Sequence, residues 1–267
     1  MDILNRIVEQ KRIEVAQRKE LYPIRLLEQS IYFGSPTVSL KKYVQRSDKS
    51  GIIAEIKRQS PSRGVINNHV SVERTSIGYM QAGASALSVL TDKLFFGGSS
   101  EDLMTARKYN FCPILRKDFT IDEYQIIEAK SIGADAILLI AAILSPLQIK
   151  VLAATAHQLG LEVLLEVHSN DELEKSIDDT IDLIGVNNRN LKTFELDLDI
   201  SKRLVEAIPS KFVKISESGI ESPATIIELK KLGFDGFLMG QNFMQHSRPE
   251  EAAKEFIKQL NKINKKK

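Results

Sequence analysis

Short apolar runs recur between residues 52 and 240 with helical segments between them, and this alternation limits the fold more than any other feature. The runs begin near Ile52, Ala86, Pro113, Asp135, Glu162, Asp182, Phe212 and Asp235. Successive starts lie roughly 26 residues apart, about the length that a strand, a helix and two short loops require. Strands that are apolar throughout and alternate with helices predict a parallel sheet covered on its outer side. Eight such units predict an α/β fold of the (β/α)8 barrel type. The alternative is a doubly wound open sheet. Its dinucleotide-binding form needs a glycine fingerprint after the first strand, and here that strand runs into Lys57-Arg58-Gln59-Ser60-Pro61.

Local signals agree with the alternation. Thr120…Glu123 and Ser169…Glu172 have the capping-box spacing, and Ser99…Asp102 resembles it. Ser145-Pro146 and Ser222-Pro223 place an N-cap before a proline at the first helical position. Gly83, Gly133, Gly160 and Gly233 mark helix ends. Three joins share one pattern: Gly83-Ala84-Ser85-Ala86-Leu87, Gly133-Ala134-Asp135-Ala136-Ile137 and Gly233-Phe234-Asp235-Gly236-Phe237. Small residues opening even-numbered strands would suit layered packing inside a barrel. A generic helix-to-strand loop explains them equally well.

Ahead of the first strand, residues 3–19 predict a helix with Leu4, Ile7, Val8 and Val15 on one face and Ile13 off it. A second short helix is expected near residues 23–30. Residues 1–50 hold too few apolar side chains for a core of their own and read as an extension packed on a barrel of residues 51–260. Residues 261–267, with Lys262, Lys265, Lys266 and Lys267, read as a basic, solvated tail. The extension is expected to cover part of the barrel mouth, so that deleting residues 1–45 should raise KM more than it lowers stability.

The totals exclude several classes. The chain has 267 residues, 43% hydrophobic and 27% charged, as an ordinary soluble globular protein does. A net charge of +2 without a basic stripe argues against a nucleic-acid partner. No apolar run approaches the ~20 residues of a membrane span, and the amino terminus lacks a signal-peptide core. Cys112 is the single cysteine, which excludes an intramolecular disulfide and a cysteine-based zinc cluster. His69, His157, His168 and His246 lack ligand spacing, so no protein-held metal is expected. These features fit a reducing, cytoplasmic location. A monomer or weak homodimer is expected.

In a barrel, function collects at the carboxyl ends of the strands. Glu55 and Lys57 stand two residues apart at the end of the first strand and therefore share a face. From that stretch alone, an ion pair on an edge strand facing water is an equal reading. Lys117 ends the third strand, Glu166 the fifth, Asn187 the sixth and Glu217 the seventh. If all eight strands form, these polar groups converge on one mouth. Ammonium groups beside carboxylates hold one another charged or move one carboxyl toward neutrality, which suits proton transfer. Ser218-Gly219 and Gly240-Gln241 follow the last two strands, where barrels frequently bind phosphate through backbone N–H groups. Phe96 and Phe119 follow the second and third strands. Loop core is the default for single phenylalanines, and flanking an aromatic ring of a substrate is the functional alternative.

Five motifs together resemble the indole-3-glycerol phosphate synthases of tryptophan biosynthesis. They are Glu55-Ile56-Lys57-Arg58-Gln59-Ser60-Pro61-Ser62, Leu115-Arg116-Lys117-Asp118-Phe119, Leu165-Glu166-Val167-His168, Gly185-Val186-Asn187-Asn188-Arg189-Asn190-Leu191 and Ser216-Glu217-Ser218-Gly219-Ile220. The resemblance spans the barrel and reaches into the extension. It implies a carboxy-lyase that closes the indole ring of 1-(2-carboxyphenylamino)-1-deoxyribulose 5-phosphate, a small phosphorylated substrate, with loss of CO2 and water and with no metal or organic cofactor. It implies Lys117 as general acid, Lys57 as holder of the carboxylate, and Glu166 as acid or base of the dehydration. Glu55 and Asn187 would orient these groups, with Arg189 and Glu217 beside them. Ser60 would belong to the substrate-holding loop. Ser218, Gly219, Gly240 and Gln241 would hold the phosphate, and Phe96, Phe119 and Leu138 would face the anthranilate ring. Gln241 departs from the family pattern, where that position is often serine or another small polar residue, and Asn188, where it is often serine, is a lesser difference. At Gln241 phosphate binding can run through the backbone N–H.

Two other readings compete. Phosphoribosylanthranilate isomerase is also a phosphate-binding barrel but uses a cysteine at the end of strand one, where this chain has Glu55-Ile56-Lys57. A catalytically silent barrel acting as a scaffold would be marked by loss of a lysine or of Glu166, and neither is lost.

Overall fold

Eight strands form where the apolar runs stand, each starting within one residue of its expected place. In the computed structural model, which describes residues 3–264, they are β1 (Ile52–Ile56), β2 (Ala86–Leu90), β3 (Ile114–Lys117), β4 (Ala136–Ile140), β5 (Glu162–Val167), β6 (Leu183–Asn187), β7 (Val213–Glu217) and β8 (Gly236–Met239). All are parallel, and β1 pairs with both β2 and β8, so the sheet closes into a barrel without an edge. A helix or helical turn follows each strand. Between β1 and its helix, Gln59–Ser60 and Gly64–Val65 pair as a short antiparallel ribbon over the carboxyl end.

Strand alternation sorts the side chains. Ile52, Ala54 and Ile56 of β1 enter the layer between sheet and helices, while Ile53 joins the barrel interior with Leu115, Leu164, Val213 and Leu238. Each of these side chains is buried, which stabilises the fold by about 1.5–3 kcal/mol apiece for the larger ones. The small residues of the repeated join have a packing reason. Ala86 and Ala136 lie in the interior cluster with Leu40 and Val44, and a Cβ on Gly236 would stand 2.6 Å from Val44 Cγ1. Small side chains therefore leave room at the amino-terminal end for α3 (Leu40–Val44), which plugs the barrel floor.

Helix starts follow the sequence signals with one exception. Ser99, Ser145, Ser169 and Ser222 each accept a backbone N–H of the first turn, and Ser145 with Gln148 completes a reciprocal capping box. Thr120 does not cap. The helix Glu123–Ser131 begins at Asp122, whose carboxylate accepts from Tyr124 N, while Thr120 is buried in the preceding loop. An anionic cap also complements the helix dipole, so aspartate displaces the threonine two residues earlier. Gly83, Gly133, Gly160 and Gly233 all take positive φ.

The extension forms α1 (Ile3–Leu21), α2 (Ile24–Leu27) and α3. Leu4, Ile7 and Val15 are buried, Val8 is only half-buried, and Ile13 is exposed. The fourth fully buried residue of α1 is Lys11, one turn from Ile7 and one from Val15. Its Nζ lies 2.9 Å from carboxylate oxygens of Glu14, Asp92 and Asp118. Asp118 also meets Arg116, and Arg116 and Arg18 both bind Glu128. Burial opposes charge on Lys11, but Asp118, Asp92 and Glu14 outweigh it and hold the ammonium above its ordinary pKa. At the other end of the chain, the helix Pro249–Asn264 takes in Lys262, while Lys265, Lys266 and Lys267 of the expected tail lie outside the described residues. Among the described residues no helix is long and apolar enough to cross a membrane.

Replacing Lys11 by methionine leaves Asp92 buried without its cation and should cost about 3–5 kcal/mol in urea unfolding, as loss of one partner of a buried ion pair does. A loss below about 1 kcal/mol would show that α1 docks by apolar contact alone. Deleting residues 1–45 pulls Leu40 and Val44 out of the barrel floor. Its stability cost should therefore reach about 2–5 kcal/mol. That changes the expectation drawn from sequence, in which KM bears the larger effect; a cut after Leu21 spares the floor and isolates the mouth.

Candidate active site

Strand alternation and closure bring the charged strand ends onto one axis. Glu55, Lys117, Glu166, Asn187 and Glu217 point inward at the carboxyl end of the barrel, with Lys57 one residue beyond β1, and line a cavity of about 470 Å³. Lys57 Nζ donates to Glu55 Oε1 at 2.7 Å, and Ser88 Oγ of β2 donates to Glu55 Oε2 at 3.4 Å. Lys117 Nζ donates to Glu166 Oε2 at 2.9 Å and lies 3.5 Å from Glu217 Oε2. Asn187 Nδ2 donates to Glu166 Oε1 at 3.0 Å, and Asn187 Oδ1 accepts from Arg189 N at 3.0 Å. Six strands thus contribute to these polar contacts.

Two glycines make the cluster possible. A Cβ on Gly185 would lie 2.2 Å from Glu217 Oε1, and one on Gly240 would lie 2.6 Å from Glu55 Oε1. Only a residue without a side chain lets these carboxylates sit against the neighbouring strand. The sequence reading placed Gly240 with phosphate; its close approach here is to Glu55.

Burial and charge divide the carboxyl groups. Burial disfavours the Lys117 ammonium, but Glu166, Glu217 and Glu55 around it raise its pKa above the ordinary lysine value. Burial likewise opposes ionisation of Glu166, and the charges of Lys117 and then His168 overcome it, so its pKa falls. Glu217 goes the other way. Burial, with the negative charges of Glu166 and Glu55, outweighs Lys117 and pushes it up to about 7. Its Oε1 is buried and accepts no hydrogen bond. The cluster therefore holds a firmly protonated amine, a carboxylate, and a carboxyl group that titrates near neutrality.

The remaining expected residues line the same cavity. On the side of β6, β7 and β8 stand Arg189, Ser218, Gly219, Gly240 and Gln241, and Ser60 lines the cavity from the ribbon after β1. Ser218 and Gly219 have φ of 68° and 74°, a conformation rare for serine and a mark of a constrained loop. Asn188 is fully buried beneath it and donates to Ser218 O at 3.1 Å and Glu217 O at 3.0 Å. Arg189 donates to Phe194 O at 3.0 Å and to Gln241 Oε1 at 3.4 Å. Burial and then the nearby Arg63 lower its pKa. Phe96 and Phe119 stand 5.9 Å apart between ring centroids, tilted by 40°, beside Leu138 of the charge-free strand β4. Sequence reasoning expected the extension to cover part of the mouth but did not name the side chains that do so, nor those of the loop after β6. Ile3, Leu4 and Ile7 of α1 close one side, and Leu191, Phe194 and Leu196 of the loop after β6 close another. The apolar period of α1 was visible, but nothing local says which wall it meets. Among the described residues no group of three or more His, Cys, Asp or Glu is placed to hold a metal ion.

Comparisons with known proteins give the family and the fold. Residues 4–256 match the family described as indole-3-glycerol phosphate synthase. The indole-3-glycerol phosphate synthase of Bacteroides thetaiotaomicron is 49% identical over 259 residues, covering 97% of this chain and 99% of its own length. That of Caldanaerobacter subterraneus subsp. tengcongensis is 43% identical over 260 residues, covering 97% and 98%. Among solved structures, 3-hexulose-6-phosphate synthase from Salmonella typhimurium superposes with a TM-score of 0.63 at 14% identity, covering 79% of this chain and 98% of that one. A tryptophan synthase alpha-subunit from Pyrococcus furiosus gives 0.60 at 15% identity, covering 79% and 97%. These two share the fold at low identity, whereas the sequence matches run nearly end to end: the chain belongs to the indole-3-glycerol phosphate synthase family.

Proposed function

We propose that the protein closes the indole ring of 1-(2-carboxyphenylamino)-1-deoxyribulose 5-phosphate, releasing CO2 and water to form indole-3-glycerol phosphate. The observation that carries this reading is the Lys117 ammonium, held between Glu166 and Glu217 in a cavity that Phe96 and Phe119 and the constrained Ser218-Gly219 loop also line. The substrate has the complementary layout: an aromatic ring at one end, a phosphate at the other, and a ketone between them.

In this reading Phe96, Phe119 and Leu138 take the anthranilate ring, while Ser218, Gly219, Gly240 and Gln241 take the phosphate through backbone N–H groups. Ser60 holds the substrate from the ribbon, and Arg189 reaches it from the β6 loop. Lys57 pairs with the carboxylate until CO2 leaves, and Glu55 keeps Lys57 in place. The ring carbon bearing the carboxylate attacks the ketone carbon, and Lys117 protonates the developing alkoxide. Loss of CO2 restores the aromatic ring. The hydroxyl then leaves as water with a second proton while the neighbouring ring methylene releases one hydrogen as a proton to form the indole double bond, and Glu166 serves this dehydration as acid or base, oriented by Asn187. Glu217 adjusts the acidity of Lys117 from behind. Proton transfer and positioning account for the chemistry, so the reading needs no metal or organic cofactor. The single buried Cys112 suits a reducing compartment. We accordingly place the enzyme in the cytoplasm, as a monomer or weak homodimer.

Purified protein given this substrate should produce indole fluorescence, and Lys117→Ala should reduce kcat by at least ~10²-fold, the scale of a lost general acid. Undiminished turnover in the variant would move the acid elsewhere. Glu217 supplies a pH test. When it ionises as pH rises through about 7, its negative charge holds the Lys117 proton more tightly and weakens the acid. The wild-type kcat should therefore decline on the alkaline side of 7, and Glu217→Gln, which mimics the protonated carboxyl, should flatten that limb. A variant that keeps the wild-type profile would remove Glu217 from this role.

A further inference from the structure

The reaction proposed above consumes a proton. The substrate enters with a carboxylate and a hydroxyl-forming ketone, and leaves without CO2 and water, so one proton must come from solvent in each turnover. Substrate seated in the cavity stands between the mouth and the buried carboxylates. A route behind the cavity starts at Glu166. Two residues further on, His168 returns to the same side of the chain. Its Nε2 is buried, makes no hydrogen bond, and lies 3.6 Å from Glu166 Oε1. Its Nδ1 faces Glu172 Oε2 at 3.3 Å, and Glu172 also accepts the His168 backbone N–H at 2.8 Å, which fixes the loop. Exposure of the three side chains rises outward, from 2% at Glu166 to 13% at His168 and 26% at Glu172.

We propose that His168 relays protons from the solvent-edge carboxylate Glu172 to Glu166, which places it outside the cavity and acting through Glu166. The imidazolium gives its Nε2 proton to Glu166 Oε1 and keeps its Nδ1 proton; a ring flip then turns the bare nitrogen toward Glu172, where a solvent proton restores the imidazolium, and only N–H and O–H bonds change. The groups facing the ring are Glu166 on its own strand, Glu172 on the helix Asn170–Ser176 and Glu217 on β7, with Lys117 of β3 beyond Glu166. The helical turn Ala141–Ile143 packed on this side brings no ionisable group. Burial opposes protonation of the ring, but the Glu172 hydrogen bond and the charges of Glu166, Glu172 and Glu217 prevail, so the imidazolium persists above the ordinary histidine range.

The relay rests on the synthase reading, and one experiment separates the two. Wild type, His168→Gln and Glu172→Gln are compared for steady-state indole formation from pH 6 to pH 9, with and without added imidazole. His168→Gln should lose at least about tenfold in kcat at the alkaline end, with KM within about twofold, a smaller deficit at pH 6, and recovery on adding imidazole. Glu172→Gln should show the same trend more weakly. An undiminished kcat in His168→Gln overturns the relay alone. So does a loss that is equal at every pH and unrelieved by imidazole, as a packing defect would give. Should His168→Gln fail to fold, a Glu172→Gln enzyme with the wild-type pH profile overturns it. A wild type that forms no indole overturns the synthase reading and the relay together.

Discussion

A buried ammonium governs this structure. Lys117 stands inside the barrel with Glu166 and Glu217 within 3.5 Å, and neither carboxylate is accessible to water. An unpaired charge at that depth would cost several kcal/mol and lose or gain a proton to escape. Pairing removes that escape, and the amine stays an acid. Everything at the mouth follows from holding the carboxylates close enough: inward positions on β1, β5 and β7, Asn187 spanning from β6, and glycine at 185 and 240 where any side chain would collide with Glu217 or Glu55. Because two acids share one amine, they part in proton affinity, and the cluster keeps one titration near neutral pH where proton transfer works fastest.

The same strand supports a second charged network. Along β3 and just past it, Arg116, Lys117 and Asp118 alternate sides. Lys117 faces the cavity, while Arg116 and Asp118 face outward to Glu128, Thr91 and Lys11. The residues flanking the central lysine are thus gripped by α1 and the helix after β3. Lys11 also binds Asp92 after β2, so one buried side chain of the extension ties together the loops that carry Phe96 and Phe119. Docking of α1 and placement of the Phe96–Phe119 wall are one mechanical event. At the far end Leu40 and Val44 of α3 fill the floor left open by Ala86, Ala136 and Gly236. The extension therefore seals the barrel at both ends, which explains why it needs no core of its own.

Much of this was legible before the structure. Strand starts were readable because a parallel barrel strand is buried on both faces, which leaves an apolar run in the sequence. The inward set was readable because side chains alternate along a strand, so the order of residues states which charges converge once closure is granted. Serine before a helix was a sound signal at four sites. Thr120 failed because Asp122 offered a stronger acceptor to the same first turn. Lys11 was hidden because a lysine on an apolar stripe reads as a break in it; three carboxylates distant in sequence make it a core residue.

By itself the sequence determined the local and periodic features: eight strand–helix units, their caps, and six polar groups at strand ends. These depend on neighbours within a turn or a pleat, and such neighbours are written side by side. Tertiary structure alone decided which carboxylate keeps a proton, which glycines make room for Glu55 and Glu217, and where α1 lands. Those outcomes depend on distances of a few ångströms between residues far apart in the chain. Electrostatic and steric energies change steeply over that range, and only closure of the barrel sets it.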